Sequence, residues 1–477
     1  MIDTRGRSCA APRILLVIAA LAIALAACRA ASAAKRPAPA PPAQATAAIS
    51  PERFKVERQV LDNGLVVLTH EDHAVPAIAF WQWYRVGSRN ERPGITGLSH
   101  FFEHMMFNGS KNVPPKEYDR ILESNGGYSN AFTDRDMTGY YEEVASEHLD
   151  VPLRLDSDRM AALSLLPEQL KSEIEVVKEE RRLRVDNDVS GMLDEALWAG
   201  AFVASPYHWP VVGWMKDLER IPREEMVEYF RTYYAPNNCI LVLVGDFQTA
   251  AALAQIKAAF GGIPSQPAPP QPVDSEPEQR GERRVEVRYP AETQTFVEGY
   301  KAGGVQSPDL YVLHLLSILL SDGESSRLHQ TLVYERQMAL DVSSEYRTRL
   351  QPGLFTVSVE MKPGRSAADG QAALDSALAA FAKDGPAPRE LEKAKNLAEA
   401  DFVRSLKTNN GVGEMLASYE HLFGDYRAMF QTVGRYRAVT AEDCRRVARQ
   451  LFDSRRRTVA VLVPEPDSSA AGDEAKP

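Results

Sequence analysis

Two histidines and a glutamate lie within one helical turn of this chain, in the segment His100-Phe101-Phe102-Glu103-His104. In a helix, positions i and i+4 lie on the same face, so His100 and His104 could bind one metal ion between them. Glu103 falls within the same arc, where its carboxylate could assist a metal-activated water in hydrolysis. The alternative is an amphipathic helix that carries two solvated histidines.

A third candidate ligand lies in the downstream segment 167–184, which is rich in helix-forming residues and begins with a proline. Proline suits the first turn of a helix, so the segment predicts a helix that starts there. Glu173 and Glu180 are seven residues apart and therefore share a face of it. Val176 and Val177 lie near that face and predict that it packs inward. A carboxylate on a buried face needs a partner, and a metal ion is a suitable one.

This pattern resembles the pitrilysin (insulinase) family of zinc metallopeptidases, in its short two-domain bacterial form. In this chain it reads His100-x-x-Glu103-His104, then 75 residues, then Glu180. Three further segments match the family in the same order: Gly97-Leu98-Ser99, 105–110 and 126–133. The resemblance implies that His100, His104 and Glu180 bind one zinc ion per chain. It also implies that Glu103 is the general base and that Glu173 supports the site without binding the metal.

Arg327 and Tyr334 are also seven residues apart, which would place them on one face of a helix in the second half of the chain. Both side chains could donate hydrogen bonds to a substrate carbonyl or its oxyanion; the alternative is a surface arginine and a half-buried tyrosine. The resemblance implies catalytic and substrate-binding roles for both. It also places Asn130 and Ala131 in an active-site edge strand, where a peptide could bind by strand addition. An ordinary strand and turn is the alternative there.

Residues 1–27 predict an export signal, because three arginines precede an apolar run that is too short to span a bilayer. The run ends in Leu-Ala-Ala before Cys28, which resembles a bacterial lipobox and predicts a lipid anchor on that cysteine. Cleavage near Ala33 is the alternative. Residues 28–53 are rich in alanine and proline and predict an extended tether. Arg29, in place of an aspartate, favours the periplasmic side of an outer membrane.

The remaining sequence divides into two halves with a similar order of patterns. Residues 263–283 are rich in proline without apolar periodicity, and predict a linker between an N-terminal domain at 54–262 and a C-terminal domain at 284–466. Residues 467–477 predict a disordered tail. Each half contains strand-like alternation, an apolar helix followed by glycine, and a long charged helix that begins with proline. We therefore predict an α+β fold of two homologous domains, each a largely antiparallel sheet packed with helices.

Alignment of the two halves leaves the second half without a complete metal site. His314 stands at the position of the first histidine, but Ser317 and Ile318 replace the glutamate and the second histidine. Asp401 stands at the position of the distal glutamate. We interpret His314 as a buried core histidine, and we expect only the first half to carry the metal chemistry.

The composition is that of an ordinary globular protein, with 477 residues and a net charge of −10, which argues against a nucleic-acid partner. Cys239 and Cys444 lie one in each half, and we predict two buried free thiols. The family's chamber needs four such domains, so the resemblance implies a dimer. A homodimer is favoured because both half-sites are present in this chain, and a heterodimer with a zinc-free homologue is the alternative.

The sequence thus predicts a zinc endopeptidase that acts on peptides or unfolded polypeptide segments. Two alternatives belong to other functional classes. One is a non-catalytic or partner-dependent subunit of a peptidase-like assembly. The other is a regulatory zinc-binding module, although such a site would more often fill its fourth position with a protein ligand.

Overall fold

The computed structural model describes residues 51, 54–273 and 275–465. The predicted export signal, the lipid anchor on Cys28, nearly all of the tether and the tail lie outside these residues. Every helix that is described is too short or too polar to cross a lipid bilayer.

The strands of the described residues form two sheets. They are β1 (Glu57–Val60), β2 (Val66–Glu71), β3 (Ala77–Tyr84), β4 (Tyr128–Thr133), β5 (Thr138–Ala145), β6 (Cys239–Gly245), β7 (Arg283–Pro290), β8 (Thr295–Ala302), β9 (Ala339–Tyr346), β10 (Gly353–Met361) and β11 (Arg457–Glu465). The first sheet has the order β1-β2-β6-β3-β5-β4, and the second has the order β7-β11-β8-β10-β9.

Helices lie between the strands in both halves. They are α1 (Leu98–Met105), α2 (Tyr118–Ser124), α3 (Asp150–Ala162), α4 (Pro167–Arg181), α5 (Val189–Ala201), α6 (Met215–Leu218), α7 (Arg223–Tyr233), α8 (Thr249–Phe260), α9 (Leu310–Ser321), α10 (Ala367–Asp384), α11 (Pro388–Ser405), α12 (Asn409–Phe423), α13 (Thr432–Ala438) and α14 (Ala441–Leu451). Two π-helical segments, Arg182–Asp186 and His329–Glu335, add to them.

The two sheets repeat one topology. In each, one pair of neighbouring strands is parallel, β2 with β6 and β7 with β11. The other pairings that the sheets share are antiparallel, so β3, β5 and β4 correspond to β8, β10 and β9. This repeat confirms the prediction of an α+β fold with two homologous, largely antiparallel domains. It also makes β4 and β9 equivalent edge strands.

The central strands are apolar because both of their faces are covered. β6 is buried at every residue and β3 at every residue but the first, and such strands need a packed layer on each side. One face of the first sheet packs against α1 and other helices of its own half. The opposite face carries Trp81 and Trp83, which pack against Val412 and Leu416 of α12, a helix of the second half.

The second sheet receives a helix from the first half in return. Leu193, Leu197 and Trp198 of α5 form a cluster with Leu354 and other residues of the second sheet. Each half therefore covers the outer face of the other half's sheet. The patterns along the chain give no sign of this exchange.

The segment between α8 and β7 contains no helix or strand among its described residues. It is nevertheless anchored, because the Glu276 carboxylate accepts hydrogen bonds from the backbone N–H groups of Val203, Ala204 and Ser205 and pairs with Lys301. Elsewhere in the fold, Cys239 and Cys444 are both buried free thiols, as predicted.

Candidate metal centre

Helix α1 carries the first two ligand candidates and lies deep in the first half. Most of its residues are buried, and His100 is only 8% exposed. The helix begins after Gly97, whose φ of 93° is left-handed and favours glycine. No side chain of α1 itself caps this end. The Glu91 carboxylate does so from upstream, accepting hydrogen bonds from the N–H groups of Gly97 and Ser99, both at 2.7 Å.

Helix α4 packs beside α1 and presents Glu173 and Glu180 on the facing side. It begins at Pro167, as predicted. Val177 is completely buried behind this face, but Val176 is 48% exposed. Val177 therefore supports the prediction that this face packs inward, but Val176 does not, because a helix turns by about 100° per residue and carries that position out to solvent.

The donor atoms of His100, His104 and Glu180 converge, and all lie within 4.8 Å of one another. The Glu180 Oε2 atom lies 3.0 Å from Nε2 of His104 and 3.5 Å from Nε2 of His100. Among the residues that the structure describes, this is the one such group of three or more potential ligands. The spacing in sequence and the geometry in space thus select the same three residues.

A chain of hydrogen bonds fixes His104 from behind. Its Nδ1 lies 2.9 Å from Oε1 of Glu173, and the other oxygen of Glu173 accepts a 2.6 Å hydrogen bond from the amide of Asn108. The contact of Nδ1 with Glu173 leaves Nε2 of His104 facing the other two donors. A carboxylate in this position orients a metal-binding imidazole and raises its basicity. The predicted supporting role of Glu173 is compatible with this contact.

The electrostatics of the metal-free site also favour a bound cation. Burial lowers the pKa of His104, but the carboxylates of Glu173 and Glu180 outweigh that effect and raise the pKa to about 9. His100 and His104 hold the pKa of Glu180 well below its ordinary value. Glu180 is therefore ionised at neutral pH, and its second oxygen contacts Nε of the exposed Arg184 at 2.9 Å.

A cavity of about 380 Å³ adjoins this group. Its wall includes residues of α1, of α4 and of the edge strand β4: Glu103, His104, Phe107, Asn108, Lys116, Asp119, Asn130, Ala131 and Glu173. The Glu103 side chain has no hydrogen bond or ion pair to any described residue. The strand β4 pairs with β5 on one side only, so its other side is free to pair with an added strand. The cavity thus adjoins the Glu103 carboxylate, the metal-ligand group and the edge of a strand to which a peptide could pair.

The segment that carries Arg327 and Tyr334 is not one regular α-helix, so the i, i+7 spacing of a shared face does not apply to it as predicted. The backbone from His329 to Glu335 is π-helical, with hydrogen bonds that span five residues, so seven residues no longer make two full turns. Arg327 forms a two-bond ion pair with Glu390, at 2.5 and 2.8 Å. Tyr334 is 47% exposed and faces Glu324 instead. Their substrate-binding roles stay predictions.

The second half has no equivalent metal group among its described residues. His314 is partly buried in α9 and bonds to the Thr348 hydroxyl at 2.8 Å, and burial lowers its pKa to about 4. Asp401 is exposed and pairs with Arg404. These side chains lack the convergence seen in the first half, as the alignment of the halves had predicted.

Several residues of the site were not found from the sequence. Asn108 and Glu91 act through one or two hydrogen bonds each, and no local spacing marks them as partners of Glu173 or of α1. Their nearness to the His-x-x-Glu-His segment was the one available signal. Arg184 was likewise unmarked, although it lies one helical turn after Glu180.

The donor set suits a zinc ion. Catalytic zinc sites commonly use three protein ligands, among them imidazole nitrogens and a carboxylate oxygen, and leave one position for water or substrate. Here two imidazoles and one carboxylate converge, an outer carboxylate fixes one imidazole, and a cavity adjoins them. His100, His104 and Glu180 are therefore the residues that would hold the ion.

Comparison with known proteins agrees with this geometry. The model of the insulinase family (peptidase family M16) matches residues 66–212, and the model of the peptidase M16 inactive domain matches residues 220–398. The chain is 31% identical over 414 residues to the zinc protease PqqE of Helicobacter pylori, across 86% of this chain and 93% of that protein. It is 26% identical over 403 residues to the uncharacterized zinc protease YmxG of Bacillus subtilis, across 83% of this chain and 96% of that one.

A solved structure extends the likeness to three dimensions. The crystal structure of a protease from Helicobacter pylori superposes with a TM-score of 0.83 and 30% identity, across 86% of this chain and all of that chain. Both halves of the fold therefore lie within the shared framework. The chain belongs to the insulinase family, peptidase family M16.

Proposed function

We propose that this protein is a zinc-dependent endopeptidase that hydrolyses peptides or unfolded polypeptide segments. One observation carries the proposal: His100, His104 and Glu180 converge beside Glu103 at the wall of a cavity bordered by an edge strand. A regulatory metal site would need neither the cavity nor the free carboxylate. The relatives named as zinc proteases support the same class of activity.

Each side chain of this site has its own role in the proposed reaction. Zinc, when bound, supplies a Lewis acid that lowers the pKa of a water molecule and polarises a carbonyl group. Glu103 accepts the proton of the attacking water and delivers it to the leaving amine. Asn130 and Ala131 of β4 align the peptide through backbone hydrogen bonds, which tolerate many sequences. Arg327 and Tyr334 donate hydrogen bonds to the oxyanion.

The oligomeric state and the cellular location of the protein are also proposals. Arg327 and Tyr334 belong to the second half, so we propose a homodimer in which the second half of one chain faces the metal centre of its partner. The alternative is a heterodimer with a zinc-free homologue.

The sequence of the leader supports export and a lipid anchor on Cys28, on the periplasmic side of a bacterial outer membrane. The anchor would leave residues 28–53 as the tether.

The decisive experiment replaces Glu103 by glutamine. Glu103→Gln keeps the size of the side chain but cannot accept the proton, so we expect turnover of a quenched fluorescent peptide to fall about 100-fold to 10,000-fold. The zinc content should stay at one ion per chain, because Glu103 is not a ligand. The matched control is Glu123→Gln, an exposed carboxylate of α2, which should cleave at the native rate. Native turnover by Glu103→Gln would refute the mechanism.

The same assay tests the non-catalytic alternative. The family model that matches residues 220–398 is described as an inactive domain, and the second half lacks the ligands. If the wild-type chain binds zinc but cleaves no peptide until a second protein is added, the chain is a partner-dependent subunit. Chelator-sensitive cleavage by the purified chain alone would exclude this alternative.

A further inference from the structure

A buried arginine follows the third ligand directly in sequence and binds three other segments. Arg181 is the last residue of α4 and is 5% exposed. Its guanidinium donates to both oxygens of Glu195 on α5, at 2.6 and 3.1 Å, and to the carbonyl oxygen of Gly213, at 2.9 Å. It also lies 3.2 Å from Asp186. Arg181 thus fixes the end of α4, where Glu180 lies.

Gly213, in turn, packs against the start of the other ligand-bearing helix. Gly213 and Gly97 both have left-handed φ values, 84° and 93°. A Cβ on Gly213 would overlap the carbonyl oxygen of Thr96 and lie 2.6 Å from the Cα of Gly97. The N–H of Trp214 donates to the Thr96 hydroxyl at 2.9 Å. The loop that accepts the Arg181 hydrogen bond is therefore fixed to the N-terminus of α1.

These contacts connect the two ligand-bearing helices on a side away from Glu173. The connection runs from Arg181 through Gly213 to Gly97, three residues before His100. It is needed at this end of α4, because the backbone changes to a π-helix at Arg182 directly afterwards. Arg184, the outer contact of the Glu180 carboxylate, is 77% exposed, and an ion pair with so exposed a partner restrains a side chain weakly.

We propose that Arg181 is a positioning residue for the metal centre. It holds Glu180 at the distance from His100 and His104 that a shared ion requires, and it acts through Glu195 and Gly213 without touching the ion. The inference rests on the proposed zinc function. Only a planar guanidinium can donate to both oxygens of Glu195 and to Gly213 together, so a lysine at this position would keep the charge and lose the geometry.

The test measures zinc affinity, by competition with a chromophoric chelator, in Arg181→Lys. Outer residues that orient metal ligands typically change affinity about 10-fold to 100-fold, and we expect a loss of that size. The matched control is Arg182→Lys, the neighbouring residue, which is half exposed and, among the described residues, forms its ion pair with Glu179. The control should keep the native affinity. Unchanged affinity in Arg181→Lys would overturn the proposal.

A double-mutant cycle separates positioning of Glu180 from a general structural effect. In the Glu180→Gln background, Arg181→Lys should cause little further loss of zinc affinity, because the residue that it positions is gone. In the Glu173→Gln background, the loss should be as large as in the wild type, because Glu173 acts through His104. An equal loss in the Glu180→Gln background would contradict the proposal, since Arg181 would then act elsewhere.

Folding of the variants needs its own measurement. Thermal unfolding of each metal-free protein shows whether a lower affinity merely follows a lower stability. If Arg181→Lys does not fold, Glu195→Gln, which removes a partner but leaves the arginine, should give a smaller loss with the same dependence on Glu180. If the wild-type chain itself binds no zinc, the proposed function fails and this inference fails with it. If the wild type binds zinc and the variants bind it equally, only the inference fails.

Discussion

At the scale of single residues, the hydrogen bonds within the site decide which side-chain atoms remain available to a metal ion or a substrate. Nδ1 of His104 forms a hydrogen bond with Glu173, and the amide of Asn108 donates a hydrogen bond to the second oxygen of Glu173. The imidazole is therefore fixed in one orientation before any ion binds. The Glu103 carboxylate forms no hydrogen bond or ion pair with the residues that the structure describes, which leaves it available to exchange a proton.

Replacement of Glu173 by glutamine tests this outer contact. The amide of Glu173→Gln has one acceptor oxygen for two donors, so either His104 or Asn108 loses its partner, and we expect zinc affinity to fall about 10-fold to 100-fold. Competition with a chelator measures the change. Glu175→Gln is the control, because Glu175 lies on the same helix and pairs with Lys178 at the surface. Equal affinity of the two variants would show that Glu173 does not orient His104.

At the scale of elements, the position of α1 depends on a carboxyl group that lies outside it. Glu91 is 5% exposed and accepts hydrogen bonds from Gly97 and Ser99. Burial raises the pKa of Glu91 to about 8, although these backbone N–H groups oppose the shift. A carboxylate near a helix N-terminus is favoured by the helix dipole, but its burial costs more in this place.

The raised pKa of Glu91 predicts how stability depends on pH. The folded chain keeps the proton up to about pH 8, whereas the unfolded chain loses it near its ordinary pKa, about 4.3. Stability from this group is thus fully present below that value and is lost as pH rises toward 8, by about 1.4 kcal/mol per pH unit at most. Urea unfolding of metal-free protein should show a smaller decline between pH 5 and pH 8 in Glu91→Gln. Parallel profiles for the two proteins would contradict this assignment.

At the scale of the whole molecule, the two halves are held together by exchanged helices and by their equivalent turns. The turn from β4 to β5 contains Asp134 and Asp136, and the turn from β9 to β10 contains Arg349, which pairs with Asp134 and lies 4.0 Å from Asp136. Asp136 also accepts a hydrogen bond from the Tyr207 hydroxyl at 2.6 Å. The edge strand beside the metal centre is thus anchored to the second half at its end.

Removal of the Arg349 charge tests this anchor. Arg349→Met leaves the largely buried Asp134 without its ion-pair partner, whereas Asp136 keeps Arg89 at 3.3 Å, and breaking a buried pair costs about 3–5 kcal/mol. The free energy of unfolding, from chemical denaturation, should fall by about that amount. Arg347→Met is the matched control two residues away, in an exposed pair with Glu345, and should change stability by no more than about 0.5 kcal/mol. Equal stabilities of the two variants would show that the buried pair does not hold the halves together.

The fold class, the duplication and the pair of candidate metal ligands on α1 could be predicted from the sequence alone. These depend on helical periodicity and on spacing along the chain, as His100 and His104 show, and such patterns are local. The resemblance then related Glu180 to them across 75 residues. The same periodicity does not apply from Arg327 to Tyr334, because the π-helical segment there changes the number of residues per turn and no residue type predicts it.

Which distant groups meet depends on the tertiary structure. The exchange of α5 and α12, the pairing of Arg349 with Asp134 and the contact of Arg181 with Gly213 all join residues far apart in sequence. Each forms because a buried charge or an apolar face must find a partner somewhere in the folded chain, and many arginines and carboxylates in the sequence could supply one. Packing selects among them, so the candidate ligands of the metal centre are visible in the sequence, whereas most of the contacts that hold them are not.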